Sequence, residues 1–295
     1  MHKDIIALTR GGLGNRIKCL VSAMRIAERQ SKTLILCWPV DDDCACRFMD
    51  LFENKIREVT QGELEQLIKK TDFGQSYQVC DTWRLLSLPE DGLPKNFSRA
   101  YISEAGDNID FEYGRIPLSV RDDILEYLFR LAPNRYIMEK TDEFCKKFDH
   151  RTTAVNIRSW ETEKRSALFE IRNVYKVMDK KRKGAFFIVC DSPAILEQVK
   201  SRYGDRALAY PRRTFPGDRK SVEGIQDALI ELLLLAKNKS LIASYLSTFS
   251  EMAWWFGACK AKVEIIPVTV RGRMSMVLER IKMRLKNGER KLCRG

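Results

Sequence analysis

Short, almost continuously apolar segments alternate with longer segments of helical period along most of the chain. The apolar segments are as long as strands and do not alternate polar with apolar side chains, which is typical of parallel strands covered on both faces. Strands are predicted at 4–9, 33–38, 154–158, 185–191, 206–211, 240–245 and 262–268. Helices are predicted at 15–30, 63–70, 120–131, 136–148, 167–182, 192–203, 222–238 and 248–257. This alternation predicts an α/β fold.

Interruptions in the pattern suggest how the chain is divided. Residues 72–118, rich in Pro, Gly and Asn, are predicted to form loops, and a charged helix ends in the DHRT segment at 149–152. We therefore predict an N-terminal Rossmann-like domain over 1–150 and a C-terminal one over 151–268, with a cleft between them. Apolar side chains at helical spacing among Lys and Arg predict a basic amphipathic helix over 269–295. That helix either docks on the body of the protein or rests on an anionic membrane as a peripheral contact.

The charge balance narrows the class of partner. The chain has 52 Lys and Arg against 40 Asp and Glu, a net charge of +12. Such a surplus favours nucleotides, nucleic acid, anionic lipid or acidic glycans. Much of it lies in two tracts, at 180–183 and 280–294, for which solvated surface is the simpler interpretation. Aromatic residues are not interleaved with these tracts, so nucleic acid is not the expected partner.

Cysteine and histidine usage excludes several kinds of site. The nine cysteines form no disulfide framework and no signal-peptide pattern precedes the first predicted strand, so reduced thiols in a cytoplasmic protein are expected. The cysteines at 37, 44 and 46 lack a fourth ligand and a CxxC pair for a thiolate metal site. With two histidines, a Ser-His-Asp triad or a His-rich metal centre is hard to build. A functional site must therefore use Arg, carboxylates, hydroxyls and backbone amides.

The GGLGNR segment at 11–16 joins the first predicted strand to the first predicted helix. Its glycines permit positive φ and close approach to the backbone, and the helix that follows presents free N–H groups, a geometry that binds anions. Ile17 occupies the position where a dinucleotide fingerprint has Gly, and no GK[ST] follows, so the segment is neither that fingerprint nor a Walker A loop. Its residues alone fit a phosphate-binding turn and a tight structural corner equally well.

Three further segments place reactive or polar side chains at strand ends. Arg158 ends the strand in AVNIR, where its guanidinium suits either a pyrophosphate in the ligand crevice or a surface ion pair. Asp191 ends another strand before Ser192, and it is placed either to cap the next helix or to meet a ligand. The hydroxyl-rich turn STFS at 247–250 opens a helix and forms a second anion site.

Three carboxylates lie on the predicted helices near these segments. Asp227 and Glu231 are four residues apart and share one face of the predicted helix at 222–238. Glu251 lies in the first turn of the helix that follows the hydroxyl-rich turn. Because a capping-box acid belongs there, Glu251 is interpreted as structural.

In this order, GGLGNR, the strand ending in IR, the strand ending before DSP, and the SxxSTFSE segment resemble a known group of enzymes. They are similar to the fucosyltransferase superfamily that includes the rhizobial nodulation α-1,6-fucosyltransferase and the animal N-glycan core and protein O-fucosyltransferases. The resemblance covers 5–30 and 150–265 and fades across 40–150, where an acceptor would bind. It implies a GT-B fold, GDP-fucose as donor, inversion at the sugar, a glycan or glycolipid acceptor, and no obligatory metal or other cofactor.

The resemblance also implies roles for individual residues. Arg158 matches the catalytic arginine that contacts the donor diphosphate and stabilises the leaving group. Glu231 or Asp227 matches the acidic residue that holds the guanine edge, and the spacing leaves that choice open. Asn156 stands where the family often has His. The other predicted donor-binding residues are Gly12, Gly14, Asn15, Arg16, Asp191, Ser192, Ser247, Thr248, Phe249 and Ser250.

Several alternatives remain open from the sequence. Asp41, Asp42 and Asp43 satisfy the Asp-x-Asp pattern that holds Mn²⁺ and the phosphates of a nucleotide sugar in metal-dependent glycosyltransferases. A glycosyltransferase that uses another nucleotide sugar as its donor, with or without such a metal, is therefore one alternative. A non-catalytic α/β protein that binds a nucleotide, a glycan or nucleic acid is a further hypothesis. Glu161 and Glu163 are candidates for a general base because they lie close to Arg158 in the sequence.

Overall fold

The computed structural model describes residues 4–29, 31–70, 78–79, 99–102, 118–160 and 166–274. Within these ranges the chain builds two five-stranded sheets, and every strand pair in both of them is parallel. Helices join the strands and cover the sheets, as the nearly unbroken apolar segments predicted. The fold class is therefore α/β, as expected from the alternation of the two patterns.

The first sheet contains the strands of the N-terminal half. They are β1 (Asp4–Leu8), β2 (Thr33–Cys37), β3 (Arg57–Glu58), β4 (Gln78–Val79) and β5 (Arg99–Ile102), in the order β3-β2-β1-β5-β4. The chain passes to one side of β1 with β2 and to the other side with β5. The strand order reverses at the carboxyl end of β1, which is the place where open α/β sheets bind ligands.

The second sheet repeats this arrangement in the C-terminal half. Its strands are β6 (Thr153–Ile157), β7 (Phe186–Cys190), β8 (Ala207–Leu208), β9 (Ser240–Ala243) and β10 (Lys262–Ile265), in the order β10-β9-β6-β7-β8. All residues of β6 and β7 are buried. Here the strand order reverses at β6, because β7 pairs on one side of it and β9 on the other.

Eight α-helices have both of their ends in the described part of the chain. They are α1 (Leu13–Arg29), α2 (Gln61–Lys70), α3 (Leu118–Leu128), α4 (Arg135–Cys145), α5 (Ile171–Met178), α6 (Pro193–Tyr203), α7 (Val222–Ala236) and α8 (Thr248–Phe256). Helix α1 packs against α8, α4 packs against α7, and α7 packs against α8. One hydrophobic core consequently includes Leu20 and Ile26 from the first half together with Trp254 and Trp255 from the second.

Residues 72–118 are the part of the chain where the prediction of loops was wrong in places. Strands β4 and β5 lie within this range, and α3 begins at its end. Both strands are short and acquire their order by pairing in the first sheet, which a local pattern does not reveal. The helix predicted at 167–182 is also shorter, since a 3₁₀ turn at Ser166–Leu168 precedes α5.

The domain boundary predicted at 149–152 can be compared with the positions of the two sheets. The segment at 149–152 lies between α4 and β6, so the two sheets fall on either side of it. The division into domains stays a prediction. Residues 270–274 are helical, whereas the rest of the predicted basic tail, 275–295, lies outside the described residues. In the part of the chain that is described, no helix combines the length and the apolar character needed to cross a membrane.

The basic tract at 180–183 lies between α5 and β7, at the edge of the second sheet where strands begin. Lys180 pairs with Glu264 at 2.6 Å, and Arg182 and Lys183 are exposed. This edge is opposite to the carboxyl ends of the strands. The tract is therefore solvated surface away from the cleft described next.

Candidate functional site

A cleft of about 560 Å³ lies between the two sheets. It is lined by the segments that follow the carboxyl ends of β1 and β2 in the first sheet and of β6, β7 and β9 in the second. Both points of reversed strand order therefore open into one cavity. This is the position that parallel α/β sheets use for ligands.

The GGLGNR turn forms the wall contributed by the first sheet. Gly11 has a φ of +69°, a conformation that strains any other residue, and a Cβ there would also lie 2.9 Å from the side-chain amide nitrogen of Asn15. The backbone from Gly11 to Asn15 lines the cleft, and α1 begins within it. The first turn of α1 holds no acidic residue that would compete for its N–H groups. The turn therefore offers an anion site.

Arg16 does not line the cleft. Its side chain is fully buried behind the turn, where Nε donates to the carbonyl of Gly11 at 2.7 Å and the guanidinium also donates to the carbonyl of Pro39. Its remaining nitrogen pairs with Asp41 at 2.7 Å. The predicted donor contact of Arg16 is corrected accordingly, because these bonds make it the support of the turn.

The hydroxyl-rich turn forms the facing wall. Ser247 caps α8 by accepting a hydrogen bond from the Ser250 amide, and Asn156 donates to both hydroxyls, at 3.0 and 2.6 Å respectively. Ser250 is fully buried beneath the cleft, while Thr248 and Phe249 line it. Asn156 and Ser250 therefore hold the turn in place. The start of α8 faces the start of α1, and the two helix N-termini share the cavity.

The closeness of these two helix starts depends on Gly14. A Cβ on this residue would lie 3.0 Å from the carbonyl oxygen of Thr248 and 3.3 Å from the amide nitrogen of Phe249, both backbone atoms that cannot rotate away. We expect Gly14→Ala to lower the free energy of unfolding by about 1–3 kcal/mol and to weaken ligand binding in the cleft. Urea denaturation measures the first effect. Gly62→Ala is the matched control, since Gly62 lies in α2 with open space around it, and this change should stabilise slightly. Equal stability of both variants would contradict the role of Gly14.

Arg158 lies at the carboxyl end of β6, and its guanidinium forms an ion pair with Asp191 at 2.9 Å. Asp191 also accepts a hydrogen bond from the amide of Ser159 at 2.7 Å. Burial lowers the pKa of Arg158, the positive charge of Arg219 lowers it further, and Asp191 opposes both effects. Both Arg158 and Asp191 line the cleft, so the pair presents a fixed cation to it.

Ser192, not Asp191, caps the helix after β7. Its hydroxyl accepts a hydrogen bond from the amide of Ile195 at 3.3 Å, and the side chain is buried outside the lining of the cleft. The predicted donor contact of Ser192 is therefore corrected to a capping role. Its effect on the site is to start α6 beside Asp191.

The carboxylates of α7 separate into two pairs. Glu231 lines the cleft and pairs with Arg212 at 2.5 Å, whereas Asp227 lies outside the lining and binds Arg213 at 2.9 Å. Of the two carboxylates, Glu231 is therefore the one that a ligand in the cleft can reach, whereas Asp227 holds the preceding loop through Arg213. The role of Glu231 toward guanine stays a prediction. Burial raises the pKa of Glu231 to about 7, although Arg212 opposes the shift.

Sequence reasoning missed the loop at 212–221 as part of the site. Arg212, Gly217, Asp218 and Arg219 all line the cleft. Gly217 has a φ of +81° and lies so close to Asp191 that a Cβ would meet its carbonyl oxygen at 2.6 Å. The segment PRRTFPGDRKS carried a signal, since it combines basic residues with a glycine turn between a strand and a helix.

Ser244 is the first residue of the SxxSTFSE segment and follows β9. Its hydroxyl accepts a hydrogen bond from the amide of Arg158 at 2.7 Å and donates to the carbonyl of Asn156 at 2.9 Å. These two bonds join the carboxyl ends of β6 and β9. Ser244 thus fixes the backbone on which Arg158 is carried. Two residues that line the cleft, Trp160 and Leu246, have a φ of +52°, a conformation that is uncommon for non-glycine residues.

The three aspartates at 41–43 do not converge on one point. Asp41 accepts hydrogen bonds from Arg16 and from two backbone amides of its own loop, Asp42 faces Lys220 at 3.7 Å, and Asp43 faces Arg219 at 3.6 Å. No group of three or more His, Cys, Asp or Glu side chains suited to a metal ion occurs in the described ranges. The geometry therefore gives no support to a metal held by this Asp-x-Asp segment.

Glu251 has a structural role, but not as a capping-box acid. The capping residue is Ser247, so Glu251 lies one position beyond the place that such an acid occupies. Its carboxylate instead receives Lys18 of α1 at 2.7 and 2.8 Å, and both side chains are buried. This ion pair joins the two helices beneath the cleft. The candidate bases Glu161 and Glu163 lie outside the described residues.

Solved structures resemble this architecture. The α-1,6-fucosyltransferase NodZ, solved from Bradyrhizobium and also after soaking with GDP-fucose, superposes with a TM-score of 0.56 at 17% identity, over 87% of this chain and 93% of that one. A variant of FUT1 from Arabidopsis thaliana in complex with GDP gives 0.55 at 16%, over 90% of this chain and 70% of that one. The fold is GT-B.

This finding confirms the fold that the four sequence motifs implied. POFUT1 in complex with GDP is a further similar structure, with a TM-score of 0.50 at 12% identity, over 89% of this chain and 98% of that one. No protein-family model and no curated protein sequence matches the chain. The likeness is therefore one of fold, and the GT-B cleft is the cavity described above.

Proposed function

We propose that this protein is a glycosyltransferase that transfers fucose, with inversion, from GDP-fucose to a hydroxyl group of a glycan or glycolipid. The observation that carries the proposal is the convergence of Arg158 and two helix N-termini in the cleft of a GT-B fold. Structures of similar fold, NodZ, FUT1 and POFUT1, were solved with GDP or GDP-fucose. The acceptor is assigned only by chemical class.

The diphosphate fits between the two helix starts. The first residues of α1 and α8 line the cavity and bring the positive ends of both helix dipoles to it, and Arg158 adds a guanidinium paired with Asp191. When the bond to the sugar breaks, negative charge grows on the leaving diphosphate. Donors that are already in place stabilise this charge without reorganising, which is how such groups lower a barrier.

The guanine fits the end of the cleft where Glu231 and Arg212 lie. A carboxylate accepts hydrogen bonds from two adjacent N–H groups, which guanine presents and uracil does not. Glu231 is the cleft carboxylate carried on α7 and is therefore our choice for base recognition. Metal independence is part of the proposal because fixed arginines and helix starts supply the positive charge.

A panel of nucleotides tests this function by thermal shift, because a ligand that binds only the folded state raises the melting temperature. GDP and GDP-fucose should raise it, and GDP-mannose, UDP and UDP-sugars should do so less at equal concentration. The shift should persist in EDTA. A rise with UDP-sugars alone, or one that requires Mn²⁺, would reject the proposal.

The pKa of Glu231 predicts a pH dependence of guanine binding. The carboxylate is protonated below about pH 7, and guanine N–H groups bind its ionised form, so the pKa falls in the complex. Affinity should therefore decrease as pH falls below 7, by up to about tenfold per pH unit, and level off above it. Titration calorimetry with guanosine measures this, because guanosine carries no phosphate that ionises in this range. Glu231→Gln should bind weakly with no such dependence; an unchanged pH profile in that variant would refute the assignment.

A further inference from the structure

Arg219 is a cleft residue to which no sequence motif assigns a role. It lies on the loop between β8 and α7, and its Nη1 is 3.8 Å from the position that a Cβ on Gly12 would occupy. Its side chain therefore reaches from the C-terminal half to the GGLGNR turn of the N-terminal half. That turn is one of the two proposed phosphate-binding walls.

The three arginines of the cleft differ in how firmly they are paired. Arg158 binds Asp191 at 2.9 Å and Arg212 binds Glu231 at 2.5 Å. The ion pair of Arg219 with Asp43 is longer, at 3.6 Å, and its two side chains are 36% and 56% exposed. A pair of this length and exposure is weak, so a stronger anion can replace the carboxylate.

The positive charge of Arg219 also acts on Arg158. After burial, its positive charge is the next largest influence that lowers the pKa of Arg158. Two guanidinium groups directed at the same volume repel each other until an anion lies between them. Two positive charges therefore lie close together where the two halves meet, and in the ligand-free cleft Asp191 and Asp43 are the carboxylates that pair with them.

We propose that Arg219 binds the diphosphate of the donor by exchanging its partner from Asp43 to phosphate. The inference rests on the proposed function. Its backbone stays anchored, since its carbonyl accepts a hydrogen bond from the amide of Ala45 at 2.9 Å, so the side chain alone changes partner. Asp43 competes with the phosphates for Arg219 and thereby limits the affinity for the GDP product, which favours its release after transfer.

Calorimetric titration of the full chain with GDP tests the exchange. Arg219→Ala should weaken GDP binding by at least about tenfold, because a charge-assisted hydrogen bond is lost. Asp43→Asn should instead strengthen it by about fivefold, since the carboxylate that competes with phosphate for Arg219 is removed. In the Arg219→Ala background, Asp43→Asn should raise affinity by less than about twofold. Arg219→Gln, which keeps most of the side chain, replaces Arg219→Ala if the latter proves unstable by thermal melting.

The neighbouring pair provides a matched control. Asp42 and Lys220 lie 3.7 Å apart on the same two loops, are 90% and 72% exposed, and are not part of the cleft lining. Asp42→Asn and Lys220→Ala should each leave GDP affinity within about twofold.

The outcomes separate the two proposals. No binding of GDP to the unmodified protein rejects the proposed function. Normal GDP binding with unchanged affinity in Arg219→Ala overturns the inference alone. Weaker binding in Asp43→Asn, or an equal gain with and without Arg219, would show that Asp43 does not act through exchange, and it would also overturn the inference.

Discussion

Replacing Arg158 with Ala should slow the release of GDP from GDP-fucose by about 10²- to 10³-fold, which corresponds to the loss of one fixed donor to the developing charge. The guanidinium is held by Asp191 at 2.9 Å, and the backbone beneath it is tied to Ser244 at 2.7 Å. Removing the side chain therefore deletes a positioned charge, while the backbone that carries residue 158 stays bonded to Ser244. GDP release with water as the acceptor can be followed without knowledge of the natural acceptor.

Two comparisons make the Arg158 result interpretable. Arg202→Ala removes an arginine of similar pairing, with Asp179 at 2.8 Å, on the surface away from the cleft, and it should keep full activity. Circular dichroism and the melting temperature should show that Arg158→Ala remains folded. Arg158→Lys should recover little, because lysine lacks the fork that binds two phosphate oxygens. Full activity of Arg158→Ala would mean that the site has been assigned to the wrong residue.

The second large effect concerns stability. Replacing Lys18 with Met should lower the free energy of unfolding by about 3–5 kcal/mol, because the buried carboxylate of Glu251 loses the ammonium that donates to both of its oxygens. Lys18 donates to both carboxylate oxygens, and the two side chains are 6% and 4% exposed. Urea denaturation followed by fluorescence measures the loss.

A double replacement separates the charge effect from packing. Lys18→Met combined with Glu251→Leu should regain most of the lost stability, because no uncompensated charge remains. Lys200→Met removes a lysine from a solvent-exposed pair with Glu197, so it should change stability little. A small loss in Lys18→Met, similar to that in Lys200→Met, would show that water reaches Glu251. The pair joins α1 to α8, so its loss should also loosen the cleft.

Much of the fold follows from local sequence. Strands β1, β2, β6, β7 and β9 occur close to their predicted places because each carries an apolar run bounded by turn residues, and such runs are buried wherever a parallel sheet forms. The starts of α6 and α8 were also close to their predicted places, although Asp191 was one candidate for the cap of α6 and the cap is Ser192, whose hydroxyl bonds the amide three residues on. Strands β4 and β5 could not be predicted from local sequence, since they depend on pairing with distant strands.

In the candidate site, too, some features could be predicted from local sequence and others could not. Its backbone parts, the GGLGNR turn and the start of α8, were recognised because glycine and hydroxyl residues act on their immediate neighbours. The side-chain partners were not recognised. Arg16 was expected in the cleft but turns to Asp41, 25 residues away, and Glu251 finds Lys18 at a separation of 233 residues.

By itself, then, the sequence determined the α/β class, the order of motifs and the two helix starts that face the cleft, because each depends on contacts within a few residues. The tertiary structure alone decided that Glu231 rather than Asp227 lines the cavity, that Arg16 supports the turn, and that Arg212 and Arg219 join the site. The reason is physical: a charged side chain takes the partner that the packed fold brings within about 4 Å, and no local pattern records that distance.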